Sequence, residues 1–236
     1  MAAGALLIGA ALLVQGRAAR NGDAIGLFTT LPILWNEEPD VASMLKSAQP
    51  PHWARKLLAD RGRIIPLDTL SVPGARGPLD GMQRMVMAQP RALGGAENVA
   101  LDRWVHSGGR LLLLADPALT EESNFSVGDP RRPQAVVLLS PILKRWGLEL
   151  QFDDAQTFGD RSVMLGRTQL PVNLPGRFAV LDKRNCGALG GGIAALCRLG
   201  KGRVLVVADA AVLERDDPDQ VRAPAFAALL DQAFND

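Results

Sequence analysis

Polar side chains that could bind a ligand follow several apolar, β-favouring runs of the sequence. Thr29 and Thr30 close the first run, and Gln89, Asp116 and Asp209 directly follow later ones. In open parallel sheets, ligands bind beyond the carboxyl ends of the strands, near the point where the strand order reverses. Together with the loop after the first run, this rule gives the candidate ligand-binding residues Thr29, Thr30, Trp35, Asn36, Glu37, Gln89, Asp116 and Asp209.

The carboxylates of this set could support two kinds of chemistry. Glu37, Asp116 and Asp209 could act as general acids and bases, or they could join Glu38 in binding Mg²⁺ or Ca²⁺. No metal-binding spacing such as D-x-D-x-D-G accompanies them, so no metal ion is predicted. A structural alternative stays open for both aspartates, because an aspartate after a strand often closes an Asx turn. Trp35 has a similar alternative as a partly buried loop anchor.

No nucleophile is predicted at the strand ends. In α/β hydrolases a Ser or Cys nucleophile occupies a sharp strand-to-helix turn, whereas the equivalent turns here carry Asp116 and Asp209. His106 falls in the last turn of a predicted helix, where the helix dipole favours its charged form. His52 is predicted on the surface. We therefore predict no catalytic residue and no cofactor.

The two cysteines lie on either side of a glycine-rich run. Residues 187–192 (GALGGG) have no Lys-Ser/Thr after them, so they predict a turn and not a phosphate-binding loop. If 183–186 and 193–198 pair as a hairpin around that turn, Cys186 and Cys197 face each other. They would then form a disulfide in an oxidising compartment. Two unpaired, buried thiols are the alternative.

Composition excludes several classes of protein. The 236 residues include 26 Lys and Arg against 25 Asp and Glu, so a net charge of +1 gives no global field that would attract nucleic acid. The chain has no Tyr and 7 Phe, so it also has few aromatic side chains that could stack on nucleic-acid bases. Basic pairs such as Arg131 and Arg132 are typical of solvated faces. Hydrophobic residues make up 47%, which predicts a folded core and no nucleic-acid partner.

The first residues form an unusual apolar segment. Residues 2–14 (AAGALLIGAALLV) carry no charge, and the first arginines are Arg17 and Arg20. The run is shorter than the roughly 20 residues of a spanning helix, and no basic residue precedes it as in a signal peptide. We predict that 1–20 form a hydrophobic helix that acts as a membrane anchor or signal segment. A buried helix of the following domain is the alternative, and the two arginines leave the orientation open.

The rest of the chain alternates strand and helix patterns, which predicts a single α/β domain over 25–236. The runs 84–88 and 110–115 are apolar on both faces, as in a mainly parallel sheet with helices on both sides, flavodoxin-like or amidotransferase-like. Residues 153–198 are a possible small β insertion. The predicted strands are 25–30, 63–67 at an edge, 84–88, 110–115, 148–152 and 203–208; the predicted helices are 40–48, 53–61, 97–107, 140–146 and 226–234.

One internal similarity accompanies this pattern. Residues 109–119 read GRLLLLADPAL and residues 202–212 read GRVLVVADAAV. The similarity predicts two equivalent central strands that each end in Ala-Asp.

Three segments carry a resemblance to a known family. They are IGLFTTLPI (25–33), QPRALGGAENVALDRWVHSGGRLLLLADP (89–117) and GKGRVLVVADAAVL (200–213). With the apolar N-terminus, they resemble the extracytoplasmic domain of gliding-motility-type ABC-transporter auxiliary proteins. Those proteins are similar in fold to class I glutamine amidotransferases and to the DUF4350 proteins. The resemblance covers about 25–150 and 195–235.

The resemblance implies a role without amidotransferase chemistry, because Asp116 and Pro117 occupy the turn where the amidotransferases carry their Cys. It implies a non-catalytic ligand-binding or scaffold domain of an envelope-associated ABC-type transport system. The expected partners are the permease and ATPase subunits, together with the membrane through the N-terminal segment. The expected location is the bacterial inner membrane, with the domain in the periplasm. The competing hypothesis is a soluble hydrolase or transferase that uses Glu37, Asp116 or Asp209.

Overall fold

A computed structural model describes residues 24–38, 49–74, 77–217 and 220–235. The predicted N-terminal hydrophobic helix and the predicted helix 40–48 lie outside the described residues. The strands are β1 Ala24–Thr29, β2 Arg63–Pro66, β3 Arg84–Ala88, β4 Arg110–Leu114, β5 Leu148–Gln151, β6 Arg161–Leu165, β7 Thr168–Val172, β8 Arg177–Val180, β9 Cys186–Leu189, β10 Ala194–Leu199 and β11 Gly202–Val207. The α-helices are α1 Trp53–Ala59, α2 Gly95–His106, α3 Ser140–Arg145 and α4 Arg222–Phe234.

A mostly parallel sheet of seven strands forms the centre of the molecule. Its strand order is β2-β1-β3-β4-β11-β10-β9, with β2, β1, β3, β4 and β11 parallel and with β10 and β9 antiparallel. The strand order reverses between β1 and β3, because β1 is followed on one side by β2 and on the other by β3. The mixed α/β class with a mainly parallel sheet is therefore confirmed, as is the edge position of the proline-containing strand β2.

Helices cover the sheet on both faces. In β4, Leu111, Leu112, Leu113 and Leu114 are all fully buried, although successive side chains of a strand point to opposite faces. Helix α4 packs on β4 and β11 and also contacts α1, whereas α2 contacts β11 and α3. The apolar positions of α4 repeat every three to four residues, so one face of the helix is buried against the sheet.

The two similar segments form neighbouring strands. β4 and β11 pair in parallel with Arg110 opposite Arg203 and Leu114 opposite Val207, so both Ala-Asp pairs emerge at the same edge. Packing explains why both segments have a glycine before the strand. A Cβ on Gly109 would lie 2.5 Å from the Trp104 ring. A Cβ on Gly202 would lie 1.9 Å from the Val105 carbonyl oxygen. Both glycines therefore allow the end of α2 to approach the sheet.

The predicted β insertion divides into three parts. β6 and β7 form an antiparallel hairpin, and β8 pairs with β5 in a second two-stranded sheet. β9 and β10, in contrast, extend the central sheet. Single-sequence patterns missed this because short strands of an edge hairpin carry no distinctive apolar run.

Among the described residues, no helix is both long enough and apolar enough to cross a membrane.

Candidate functional site

The carboxyl ends of β1 and β3 are joined by hydrogen bonds at the point where the strand order reverses. The Thr29 hydroxyl donates to the Ala88 carbonyl oxygen at 2.7 Å, and the Thr30 hydroxyl donates to the Gln89 carbonyl oxygen at 2.5 Å. Thr30 Oγ1 also accepts from the backbone N–H of Gln134 at 3.1 Å. These predicted site residues thus face the expected crevice, but their hydroxyls already hold the two strands and a neighbouring loop together.

Gln89 joins the ends of β3 and β4. Its side-chain oxygen accepts from the Asp116 N–H at 3.0 Å, and its amide nitrogen donates to the carbonyl oxygens of Asp116 at 3.1 Å and Gln134 at 2.7 Å. The side chain is fully buried, and the backbone has a φ of 42°, in the left-handed region that favours glycine. Three hydrogen bonds therefore hold a strained residue at this edge of the sheet.

Asp116 is buried and connects two turns. One carboxylate oxygen accepts from the Ala118 N–H at 2.7 Å, which is an Asx turn, and the other accepts from the Ala210 N–H at 3.0 Å. Burial raises the pKa of Asp116 to about 6; the two backbone hydrogen bonds oppose the rise, and the nearby charge of Glu214 adds to it. The structural alternative for Asp116 is therefore the one that the geometry supports.

Asp209 has the equivalent arrangement after β11. Its carboxylate accepts from the Ala211 N–H at 2.6 Å and from the Asn173 N–H at 2.9 Å, so it also fixes the start of the loop after β7. Burial raises the pKa of Asp209 well above its usual range, and the neighbouring charge of Asp116 contributes. Both aspartates are buried, with 0% and 1% exposure, so neither carboxylate is open to a substrate from solvent.

Glu37 holds a loop. Its carboxylate accepts from the Ser123 hydroxyl at 3.0 Å and from the Asn124 N–H at 2.7 Å, while the Asn124 side chain donates to the Glu37 carbonyl oxygen at 3.3 Å. The long connection between β4 and α3 is thereby fixed to the segment that follows β1.

A cleft of about 310 Å³ lies at the carboxyl end of β1. Half of the predicted ligand residues line it, because Trp35 and Asn36 join Thr29 and Thr30 there. Glu37, Gln89, Asp116 and Asp209 are not among its lining residues. The sequence analysis missed the rest of the lining, which comes from Glu38 and from the β4–α3 connection: Phe125, Pro130, Arg131 and Arg132.

Aromatic rings and arginine side chains line much of the cleft. Trp35 is 39% exposed, and the Arg131 guanidinium lies 4.2 Å from the centre of the Phe125 ring. Arg131 also forms a bidentate ion pair with Asp129, and its hydrogen bonds lower the pKa of that carboxyl to about 2. Arg132 donates to the Phe125 carbonyl oxygen. Arg131 is exposed, in agreement with the predicted solvated face, whereas Arg132 is half-buried, and both line the cleft.

A second group of charged residues lies beside the cleft. Asn36 accepts from Arg215 at 3.2 Å, and the Arg215 N–H in turn donates to Glu121 at 3.3 Å. Burial raises the pKa of Glu121 to about 7, and the charges of Glu214 and Asp216 reinforce the rise. These carboxyl groups form an acidic region at the carboxyl edge of the sheet.

His52 is buried and not on the surface, contrary to the sequence-based expectation. Its Nδ1 accepts from the Ala54 N–H at 3.1 Å and so caps α1, while its Nε2 donates to the Leu213 carbonyl oxygen at 2.9 Å. Burial lowers the pKa of His52 to about 4; the Leu213 contact opposes this, and the Arg215 charge adds to it. The neutral ring therefore has a structural role.

Cys186 and Cys197 occupy opposite positions of β9 and β10 and form a disulfide. Residues 187–189, predicted within the turn, continue β9, and the turn itself is confined to Gly190–Gly192. Within the described part of the chain, no group of three or more His, Cys, Asp or Glu side chains could hold a metal ion.

No protein-family model matches the chain, and no curated protein sequence matches it. Several solved structures are similar to the chain over most of its length. An exo-β-1,4-mannosidase from Opitutaceae bacterium strain TAV5 is 15% identical, with 90% of this chain and 33% of that chain covered and a TM-score of 0.47. A ThuA-like protein from Bacteroides uniformis is 11% identical, with coverages of 92% and 94% and a TM-score of 0.47. A cytoplasmic protein from Salmonella typhimurium LT2 is 8% identical, with coverages of 90% and 99% and a TM-score of 0.44. The chain spans about a third of the length of the mannosidase.

Proposed function

We propose that this chain is a non-catalytic ligand-binding or scaffold domain of an envelope-associated ABC-type transport system, in the manner of the gliding-motility auxiliary proteins. The proposed fold is flavodoxin-like or amidotransferase-like, and the order β2-β1-β3-β4-β11 agrees with that group. The N-terminal segment would attach the domain to the bacterial inner membrane, with the domain in the periplasm and the permease and ATPase subunits as partners.

One observation carries the non-catalytic part of the proposal. The polar side chains at the strand ends have internal hydrogen-bond partners: Thr29 and Thr30 bridge two strands, and Gln89 and the two buried aspartates fix turns. A general acid or base must reach a proton of the substrate, within about 3 Å or through one water. Carboxylates with 0% and 1% exposure do not offer that access.

The cleft at Trp35 supports the binding part of the proposal. It lies at the carboxyl end of β1, one of the two strands between which the strand order reverses, and sheets of this kind bind their ligands near that point. Its walls combine two aromatic rings with charged groups at the rim, as in sites that hold a small polar molecule or a peptide side chain. The disulfide agrees with an oxidising compartment.

Photo-crosslinking in intact cells tests the proposal. A photoreactive phenylalanine analogue would replace Trp35 in the cleft, and a matched control would carry it at Phe158, which is 70% exposed and outside the lining of the cleft. We expect a crosslink to a periplasmic part of a multi-span permease at position 35 only, identified by mass spectrometry. A chain recovered in the soluble fraction with both cysteines reduced would contradict the proposal.

A soluble hydrolase or transferase is the second candidate function, favoured by the acidic region beside the cleft. Burial raises the pKa of both Asp116 and Glu121 toward neutrality, and such shifts occur at sites of acid-base catalysis. Of the two, Glu121 is the half-buried one. Screening the purified chain and its Glu121→Gln variant against hydrolase substrates separates the candidates: an activity that the variant lacks would favour the enzyme.

A further inference from the structure

Three arginines occupy the same register position on neighbouring strands. Arg84 begins β3, Arg110 begins β4, and the pairing places Arg84 opposite Arg110 and Arg110 opposite Arg203 of β11. Neighbouring strands lie about 4.8 Å apart. Because paired residues of parallel strands point to the same face, the three guanidinium groups leave one face of the sheet within a span of about 10 Å.

These arginines surround the carboxyl end of α4. Arg110 donates to the carbonyl oxygen of Phe234, and Arg203 donates to that of Asn235 at 2.9 Å. The Arg84 guanidinium lies 5.9 Å from the centre of the Phe234 ring. The last carbonyl groups of a helix carry partial negative charge and favour cations, which explains part of the cluster.

More basic residues lie at the same amino-terminal edge of the sheet, and several of them are exposed. The β10–β11 turn packs against the end of α2, since the Lys201 N–H donates to the His106 carbonyl oxygen at 3.0 Å. Arg103 and Lys201 are exposed, as is Arg63 at the start of β2. We call this set the basic edge: Arg61, Arg63, Arg84, Arg103, Arg110, Arg198, Lys201 and Arg203.

In the described part of the chain, no ion pair at this edge involves the exposed side chains of Arg63, Arg103, Arg198 or Lys201. Asp60 pairs with Lys56 at 2.7 Å, and Asp231 pairs with Arg61 at 3.2 Å. Asp80 accepts from the backbone N–H of Gly77 at 2.9 Å.

The opposite edge of the sheet carries charged groups of both signs. Glu121 and Glu214 lie there with Arg215 and with Arg222, which pairs with Glu214. Burial raises the pKa of Asp116 at that edge to about 6.

The chain also enters the fold at the basic edge. β1 begins at Ala24, which is paired with Arg63. The apolar run 2–14 and Arg17 precede it in the sequence, and the seven residues 18–24 reach at most roughly 25 Å when extended. A membrane that held the apolar run would thus lie near this edge.

We propose that the basic edge binds the anionic lipid headgroups of the membrane in which the N-terminal segment is anchored. The proposal rests on the membrane attachment of the proposed function and adds an orientation to it: the cleft at Trp35 faces away from the bilayer, toward partners. Each basic side chain near an anionic surface strengthens binding roughly fivefold, and salt screens the attraction beyond about 10 Å at 0.1 M.

A fluorescence experiment on the full chain in lipid nanodiscs tests the orientation. Because the chain has two cysteines and both are in the disulfide, an added cysteine gives a single labelling site. Ser107→Cys places the dye at the basic edge without removing a charge, and Val127→Cys, at a residue 92% exposed, serves as the control in the β4–α3 connection. Quencher-labelled headgroups report proximity, with phosphatidylcholine alone or with 30% phosphatidylglycerol as the probes.

We expect strong quenching at position 107 in the phosphatidylglycerol discs, its loss in 0.5 M NaCl, and little quenching at position 127. In a variant with Arg63→Glu, Arg103→Glu and Lys201→Glu, docking should weaken at least tenfold, with the thermal unfolding midpoint as the control for folding. Equal quenching in both lipids, or none at position 107 in an incorporated chain, overturns the docking and leaves the attachment intact.

Two other outcomes are also decisive. If the chain does not incorporate into nanodiscs, the membrane attachment of the proposed function is wrong. The same labelled chain is then mixed with phosphatidylglycerol vesicles. Quenching at position 107 by these vesicles would still support binding of the basic edge to anionic lipid. If the basic edge retains a short duplex DNA in a salt-dependent manner while the vesicles leave the dye unquenched, the proposal is wrong about the partner.

Discussion

The carboxylate of Asp116 accepts a hydrogen bond from the backbone N–H of Ala210, 94 residues further along the chain. This contact ties the turn after β4 to the equivalent turn after β11. The second carboxylate oxygen closes the turn of its own strand at Ala118. The repeated Ala-Asp of the sequence is therefore a pair of strand-end turns, one of which also holds the other in place.

The first prediction concerns pH and Asp116. Its pKa is raised to about 6 in the folded chain, so between about pH 4 and pH 6 the folded state binds more protons than the unfolded state. The stability contributed by this group is therefore complete below about pH 4 and is lost as the pH rises through 6. The free energy of unfolding of the wild type, relative to Asp116→Asn, should fall by roughly 2–3 kcal/mol over that window.

Urea titrations of both proteins at several pH values measure this difference. Asp153→Asn is the matched control, because Asp153 accepts from the Ala155 N–H in an exposed turn and reports the cost of such a turn alone. A wild-type advantage that grows with pH would contradict the prediction.

The second prediction concerns His52, whose pKa is lowered to about 4 by burial. Between about pH 4 and pH 6.5 the unfolded chain binds the additional proton, so the contribution of His52 to stability is lost as the pH falls through this window. Asn at this position keeps the capping ability but does not titrate. We expect the free energy of unfolding of the wild type, relative to His52→Asn, to increase as the pH rises from 4 to 6.5. A pH-independent difference would show that the ring is not buried as described.

The third prediction separates backbone strain from side-chain contacts at Gln89. Gln89→Gly and Gln89→Ala both lose three hydrogen bonds to buried groups, which costs about 2–4 kcal/mol. Both variants keep the left-handed backbone at φ 42°, and this conformation costs alanine about 1 kcal/mol more than it costs glycine. Thermal and urea unfolding should therefore rank the proteins as wild type, then Gly, then Ala. An alanine variant as stable as the glycine variant would mean that the backbone relaxes.

The fourth prediction concerns the disulfide between Cys186 and Cys197. The two positions are 11 residues apart, and closing a loop of this size stabilises a folded chain by about 3 kcal/mol. Replacing both cysteines by alanine should lower the free energy of unfolding by about 2–3 kcal/mol. Since the sulfurs are buried, a reductant should act on the native protein only as fast as it unfolds.

A single Cys197→Ala variant is the matched control for the disulfide, because it removes the link and leaves one thiol. Its stability should equal that of the double variant within about 1 kcal/mol. Mass spectrometry under non-reducing conditions, after alkylation of free thiols, measures the rate at which the disulfide is reduced. Alkylation of Cys186 and Cys197 in the folded chain within minutes would show that the disulfide is not buried.

The sequence by itself determined the central elements of this protein. The strands 84–88 and 110–114 and the two Ala-Asp turns follow from apolar runs and turn residues close together in the chain. Because strand ends of a parallel sheet meet at one edge, the positions of Thr29, Thr30 and Gln89 at the carboxyl edge were also predictable.

Only the tertiary structure decided what these residues contact. The partner of Asp116 lies 94 residues away, and Arg131 and Arg132 reach the cleft because Glu37 holds their loop beside β1. The burial of His52 depends on Leu213. Likewise, a net charge says nothing about its distribution, and only the pairing of β3, β4 and β11 brings Arg84, Arg110 and Arg203 to one edge of the sheet. Hydrogen bonds and charges act over a few ångströms in space, whatever the distance along the chain.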